Sequence, residues 1–278
     1  MKYASLSVLI VLYKQSLCDS DTFRSLCRNP DSYLNRTNLV VWDNSPKEYT
    51  FKQYINTQDR ARFNDFKYIN SKVNESLSVL YNKVIDDSIG SSECFILLDQ
   101  DSEVPDDFLE KVMSVDSNGL LMVPRVLSRK TKTIISPRYQ SFSRYFLIPE
   151  VNNAFNECDH GLKNSVDFFA VGSGMIIPKT LWNNGFRFNE KLRFYGVDAD
   201  YCYSYSKVVD SFFLLDSSIY HDISEEDIEE SSDMKKWRFE QTMDYFSYFL
   251  HTNLGIGKLK VTVLVLLRRI LFYFKSFV

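Results

Sequence analysis

Histidine is scarce in this chain, three residues in 278, and none stands at zinc-ligand spacing from a cysteine. The five cysteines, Cys18, Cys27, Cys94, Cys158 and Cys202, are odd in number, far apart and without a CxxC pair. Those absences exclude a disulfide framework and a structural zinc site, and leave the cysteines as reduced packing residues. Neither sign of charge dominates: 33 Lys and Arg face 36 Asp and Glu, a formal net charge of −3, with the basic residues scattered. A nucleic-acid partner is therefore not expected. The opening MKYASLSVLIVLYKQS has a lysine and an apolar run but no small-residue cleavage site before Tyr13-Lys14, so it reads as a first strand rather than a signal peptide. A cytosolic chain is expected. There is no internal repeat and no linker long enough to separate domains.

A continuous apolar run of about 20 residues, the length a membrane-spanning helix needs, is also missing. The most apolar segment, Lys258–Val278 (KLKVTVLVLLRRILFYFKSFV), is interrupted by Arg268-Arg269. On a helical wheel Lys258, Thr262, Arg269 and Ser276 cluster, with Arg268 and Lys275 beside them. A narrow basic strip on a broad apolar surface suits a helix lying in a membrane interface; packing on its own domain or on a partner subunit is the alternative.

What is present is a large apolar and aromatic share, 45% and 15%, enough to build a well-packed core. Short β-rich runs alternate with helical stretches: LSVLIVLY (6–13), a helix from Ser20 with Asp19 or Ser20 as N-cap, NLVVWDNS (38–45), FKYIN (66–70), a helix over Leu77–Ser88, and CFILLDQDS (94–102). Such alternation predicts an α/β fold, a mostly parallel sheet with helices on both faces. Ligands bind such sheets at the carboxyl ends of the strands. Tyr13, Asp43-Asn44-Ser45, Asn70 and Asp99/Asp101 fall along that rim.

Farther on, LLMVPRVL (120–127) reads as a strand, TKTIISPR (131–138) as a hairpin arm, and DFFAVGSGMIIPKTLW (167–182) as a strand pair around a Gly-Ser-Gly turn. Asp198–Lys207 reads as a helix with an acidic start, SFFLLDSSIYHD (211–222) as a strand ending in His221, and Ser224–Asp233 as a solvated loop or mobile lid.

Asp99-Gln100-Asp101 emerge from an apolar strand that must be buried, and two adjacent carboxylates there are costly without a cation. Mg2+ or Mn2+, held by one or two carboxylates with substrate phosphates, answers that cost. A second acidic pair, Asp198 and Asp200, follows Phe194-Tyr195-Gly196. Acids enrich a helix's first turn for electrostatic reasons alone, but a carboxylate beside rings is partly desolvated and can serve as a base. His221 could bind metal or diphosphate. Gly172-Ser173-Gly174 either lets backbone approach a substrate or makes a tight turn. Trp182, Phe194 and Tyr195 are candidates for stacking on an acceptor sugar, or for the core.

In this order VLIVLYK, VVWDNSP, YINSKVNESLSVLYNKVI, FILLDQDS, the block VGSGMIIPKTLWNNGFRFNEKLRFYGVDADYCYSYSK and IYHD resemble family 2 glycosyltransferases of the GT-A fold. LLDQDS and the later block are most similar to the bacterial rhamnosyltransferase-type branch that builds O-antigen and capsule polysaccharides. The resemblance spans roughly residues 5–225. It implies that Tyr13, Asp43, Asn44 and Asp99 serve the nucleotide, that Asp99 and Asp101 with His221 hold the metal, and that Asp198 is the catalytic base. It further implies an inverting transfer from dTDP-rhamnose or a UDP-hexose to a lipid-linked saccharide, at the inner face of the cell membrane. Val197 stands where many relatives have glutamate, and KVNESLSVLYN lacks the usual glycines. Expected units are a GT-A domain over 1–233 and a helical segment over 234–278. A haloacid-dehalogenase-like phosphatase and a non-catalytic nucleotide-binding scaffold are the competing readings; the first would place its DxD near the N-terminus rather than in the fourth strand.

Overall fold

A computed structural model describes residues 2–47, 57–142, 149–152, 155–222 and 231–275. The strands are β1 (Leu6–Leu12), β2 (Thr37–Asp43), β3 (Asp65–Asn70), β4 (Cys94–Asp99), β5 (Met122–Ser128), β6 (Ile134–Ser136), β7 (Arg138–Phe142), β8 (Pro149–Asn152), β9 (Gly161–Asn164), β10 (Phe168–Phe169), β11 (Ile176–Pro178) and β12 (Ser211–His221). Helices are α1 (Asp21–Leu26), α2 (Asp31–Leu34), α3 (Thr57–Ala61), α4 (Leu77–Ser88), α5 (Phe108–Ser114), α6 (Lys179–Asn183), α7 (Val197–Ser206), α8 (Ser232–Tyr248), which continues as a π-helical turn over Phe249–Asn253, and α9 (Lys258–Lys275).

The main sheet runs β3-β2-β1-β4-β11-β5-β12-β9, with β6 added beside β5. Strands β1 to β4 are mutually parallel. Because β11 is antiparallel to both β4 and β5, those two run the same way, and β12 is parallel to β5. The carboxyl ends of β1, β2, β3, β4, β5 and β12 therefore share one edge. This is the expected mostly parallel α/β sheet.

All seven residues of β1 and of β2 are buried, which their apolar runs require of strands covered on both faces. Alternate side chains enter two cores. Leu9 and Val11 join α4 residues Leu80, Val84 and Ile85 on one face. Leu6, Val8 and Ile10 meet Phe23, Phe108 and Val112 on the other. Ser20 caps α1, its hydroxyl accepting from the Phe23 amide.

One element departs from expectation. The stretch 167–182 is not a strand pair: β10 joins β7 and β8 in a separate three-stranded sheet, whereas β11 inserts between β4 and β5. The Gly-Ser-Gly segment is the crossing between the two sheets. Of the acidic stretch 224–233, residues up to 230 lie outside the described ones, and Ser231 caps α8 by accepting from the Met234 amide.

The helical segment is joined firmly to the sheet domain. Asn253 donates to the buried Asp200 carboxylate at 2.8 Å, Tyr203 Oη donates to the Asn253 carbonyl at 2.7 Å, and the Tyr245 ring lies against Gly196. Gly196 has φ +77, and any side chain there would collide with that ring.

Candidate active site and metal centre

The site is assembled where strand ends meet. Register pairs Leu12 with Asp43, Asp43 with Asn70 and Val11 with Asp99, so the rim residues of four strands stand side by side. His221 reaches the same rim by a route its sequence position hides. Glu103 and Tyr220 form an antiparallel bridge, the Glu103 amide donating to the Tyr220 carbonyl at 2.7 Å and the Tyr220 amide returning a bond at 3.0 Å. That bridge lays the segment just after Asp101 against the residue just before His221.

Among the described residues, Asp99, Asp101 and His221 present ligand atoms that all lie within 4.8 Å of one another. His221 Nδ1 is 3.3 Å from Asp101 Oδ1, and Nε2 is 4.0 Å from Asp99 Oδ2. Ser102 Oγ holds the ring through Nδ1 at 3.0 Å. Arg129 fixes the loop by donating to the Asp101 carbonyl at 3.0 Å while pairing with Asp21 at 2.6 Å. The Asp101 Oδ1 atom is shielded from solvent, and the His221 ring at 3.3 Å is the polar group beside it. A solvent-shielded carboxylate oxygen beside a second carboxylate and an imidazole is a donor set that fits a divalent cation such as Mg2+ or Mn2+.

Electrostatics record the same strain. Burial pushes the Asp99 carboxyl up to about 6; Asp101 and Asp198 add to the rise and His221 opposes it. For His221, burial acts downward but is outweighed by the bond and charge of Asp101 and the charges of Asp99 and Asp222, leaving the imidazole above its usual value.

Asp198 lies in the first turn of α7, which Gly196 opens in a left-handed conformation. Its Oδ2 accepts from the Gly172 amide at 3.1 Å and Oδ1 from the Ala199 amide at 2.8 Å. Burial raises its carboxyl above the ordinary range, against the pull of those amides and of Arg138. Asp200 is different in kind: it is 5% exposed and bound by Asn189 and Asn253, so it anchors the helical segment.

The segment Gly172–Gly174 ties the two acidic groups together. Gly172 holds Asp198; Ser173 Oγ accepts from the Asp99 amide at 2.9 Å and meets Ser102 Oγ at 2.6 Å. Gly174 has φ +92, and a Cβ there would come within 2.8 Å of Ile219 and 2.9 Å of Pro124. Tyr81, buried beneath, has its hydroxyl raised by burial and then by the charges of Asp99 and Asp198.

Several sequence-based expectations need correction. Ser173 and Gly174 are buried and do not face a substrate; they position the acidic residues. Trp182 is 1% exposed, its Nε1 donates to Asp86 at 2.6 Å and Arg187 stacks on its ring, so it is a core residue and no acceptor platform. Asn44 is 2% exposed with its amide fully engaged: the nitrogen donates to Asn74 and Glu75, and the oxygen accepts from Trp42, Ser71 and the Glu75 amide. Its side chain braces the rim and has no polar atom left for a nucleotide.

Asp43 is 1% exposed, with Tyr68, Asn70 and the Ser45 amide donating to its carboxylate. Tyr13 keeps its ring 40% exposed at the end of β1, its amide held by Gln100 at 2.7 Å. Tyr195 and Phe194 stand beside the start of α7, with the half-exposed Trp237 of α8 at 6.1 and 6.4 Å. Trp237, Ser102, Arg129 and Tyr81 were not legible as site residues. Only the Ser next to the DxD was near enough in sequence to have been found.

A family model described as glycosyl transferase family 2 matches residues 7–180, more than half of the chain. The chain belongs to glycosyl transferase family 2. That membership removes the basis for the phosphatase reading. No curated protein matches this family 2 chain. Among solved structures it is similar to GalNAc-T7 with UDP, GalNAc and Mn2+, at 14% identity and a TM-score of 0.61, covering 92% of this chain and 52% of that one. It is also similar to S. aureus TarS, at 13% identity and a TM-score of 0.52, covering 94% of this chain and 42% of that one. TarS residues 1–349 with UDP-GlcNAc give 12% identity and a TM-score of 0.51 over 94% of this chain and 70% of that one. The chain thus spans about half the length of the first solved structures it matches, and at these identities the likeness establishes the GT-A fold.

Proposed function

We propose that this family 2 chain transfers a sugar, with inversion, from a nucleotide-sugar donor to a hydroxyl of a lipid-linked saccharide. The observation that carries this reading is the shared tether: one short segment, Gly172-Ser173, hydrogen-bonds the Asp198 carboxylate on one side and the Asp99 amide on the other. A base and a cation-binding cluster are thereby tied to one short segment, which fixes their relative placement as an in-line displacement requires.

In this mechanism Asp198 accepts the proton of the acceptor hydroxyl. The freed oxygen pair forms a bond to the donor's anomeric carbon while the bond from that carbon to the diphosphate oxygen breaks, and the nucleoside diphosphate leaves with those electrons. The raised carboxyl of Asp198 makes it a stronger base than an exposed aspartate. Asp99, Asp101 and His221 would hold Mg2+ or Mn2+, which when bound neutralises charge on the departing diphosphate. An imidazole among the donors favours Mn2+, and the Mn2+ bound with UDP in the GalNAc-T7 structure supports that choice. Phe194, Tyr195 and Trp237 offer the acceptor an aromatic wall beside Asp198, and Tyr13 offers the nucleoside a ring.

The likeness of LLDQDS and of the later block to the rhamnosyltransferase-type branch supports dTDP-rhamnose as donor in O-antigen or capsule synthesis; UDP and UDP-GlcNAc in the TarS structures support a UDP-hexose. Five free thiols suit a reducing, cytoplasmic compartment. The test is a panel of dTDP-rhamnose, UDP-glucose, UDP-galactose and UDP-GlcNAc, scored with Mn2+ for hydrolysis and for protection against thermal unfolding. One donor should stand out and lose its effect in chelator. If none protects and none is hydrolysed, the transferase reading fails.

A further inference from the structure

The C-terminal helix is turned the opposite way from a soluble amphipathic helix. Its arginines face inward: Arg269 pairs with Glu240 at 2.7 Å and Asp244 at 3.5 Å, and Arg268 lies over the Phe246 ring at 3.6 Å. Val261 and Val265 pack on Met243, Phe246 and Leu250, and Phe272 stacks on Phe239 at 3.9 Å. With Arg268 and Arg269 engaged by α8, the apolar face points to solvent. Leu259 is 81% exposed, Phe274 70%, Leu271 61% and Leu266 56%, with Val263 and Ile270 also open. At 100° per residue these six cover an arc of about 140° along a helix about 27 Å long. A contiguous apolar face of this kind marks an interaction surface.

We propose that this face docks on an anionic lipid surface, with α9 lying in the plane of the interface. No helix among the described residues is long and apolar enough to cross a membrane, so a spanning role does not compete. Charge selects the occupant. Lys258 and Lys260 are exposed at the start of the helix, and residues 258–278 contain no aspartate or glutamate. A twofold pairing of two such helices would leave these lysines without a counter-charge, whereas anionic headgroups supply it, and basic residues flanking an apolar face are what interfacial helices present. Trp237 on α8 stands beside Phe194 and Tyr195 at the site, while α9 packs on the same helix, so docking would hold the site at a fixed offset from the lipid surface. The proposal does not depend on the transferase reading.

The test is co-sedimentation of the full chain with vesicles of phosphatidylcholine containing one-third phosphatidylglycerol, and with vesicles of phosphatidylcholine alone. The wild type should pellet with the anionic vesicles. Substituting Leu266→Ser, Leu271→Ser and Phe274→Ser together should lower the partition at least about tenfold, because insertion scales with apolar area. These positions are exposed, so cooperative thermal unfolding should persist. Lys258→Glu with Lys260→Glu, which leaves the apolar face intact, should lower binding to anionic vesicles about tenfold or more at low salt. A wild type that stays in the supernatant, a triple variant that binds like the wild type, or a wild-type dimer that the triple variant makes monomeric would each overturn the proposal, the last by assigning the face to a second copy. Because the readout is vesicle binding, its failure leaves the transfer reaction unaffected, and inactivity on every donor leaves this proposal intact.

Discussion

Replacing Asp99 with asparagine should stabilise the metal-free protein while abolishing its response to metal. Burial against Asp101 and Asp198 lifts the Asp99 carboxyl from 3.8 to about 6. Folding at neutral pH therefore forces a charge into a place that disfavours it, and two pKa units correspond to about 3 kcal/mol. The side chain keeps 39% exposure, so solvent screening reduces this to about 1–1.5 kcal/mol. For a chain of this size that is about 2–5 °C in Tm. Because the folded value is raised, wild-type stability declines as pH rises from about 4 through about 6. The advantage of Asp99→Asn should be complete at about pH 8 and small at about pH 3.5, where the carboxyl is mostly protonated in both states. Scanning calorimetry in chelator at both pH values measures it. Adding Mn2+ at a hundred times its Kd should then raise the wild type by about 2.7 kcal/mol and the variant by far less, reversing their order. Equal Tm values at about pH 8, or the same gain at about pH 3.5, would refute the electrostatic account of the cluster.

Asp198→Asn should lower kcat by about 10²- to 10⁴-fold with donor protection against unfolding unchanged; full turnover would place the base elsewhere. In the wild type, kcat should fall on acidification through a pKa above the ordinary carboxylate range, because burial raises Asp198 and only its ionised form accepts the proton; a limb at the value of an exposed aspartate would contradict this. Gly196→Ala puts a methyl into the Tyr245 ring at φ +77 and should cost roughly 2–5 kcal/mol, read as Tm; an unchanged Tm would deny that α8 docks there. Trp182→Phe loses the bond to Asp86 and some of the stack with Arg187, so stability should drop by about 1–2 kcal/mol while the acceptor KM stays constant.

How much of this was legible depended on whether a feature is local. An apolar run such as LSVLIVL must be buried on both faces, so β1, β2 and β4 and the emergence of Asp99 and Asp101 at a sheet edge follow from sequence alone. Ser20 as a cap and α4 over Leu77–Ser88 follow from short-range rules as well. The stretch 167–182 misled because two short apolar segments around glycines look like a hairpin, while their actual partners, β7 on one side and β4 with β5 on the other, lie far away in sequence. Trp182 and Asn44 misled for a related reason: an aromatic ring or an amide near a site looks available until its neighbours are known, and here Asp86, Asn74 and Glu75 had already engaged them.

The α/β alternation, the acidic end of the fourth strand and the family are all written in local pattern, because periodicity and motif order are carried by neighbouring residues. Only long-range packing places His221, 120 positions beyond Asp101, at its carboxylate, ties Asp198 to Gly172 while Asn189 and Asn253 engage Asp200, and turns the arginines of α9 inward and its leucines out. Each of those outcomes rests on which distant segment packs against the residue. The antiparallel β11, the Glu103–Tyr220 bridge and the contact of Tyr245 with Gly196 are long-range choices that no local pattern encodes.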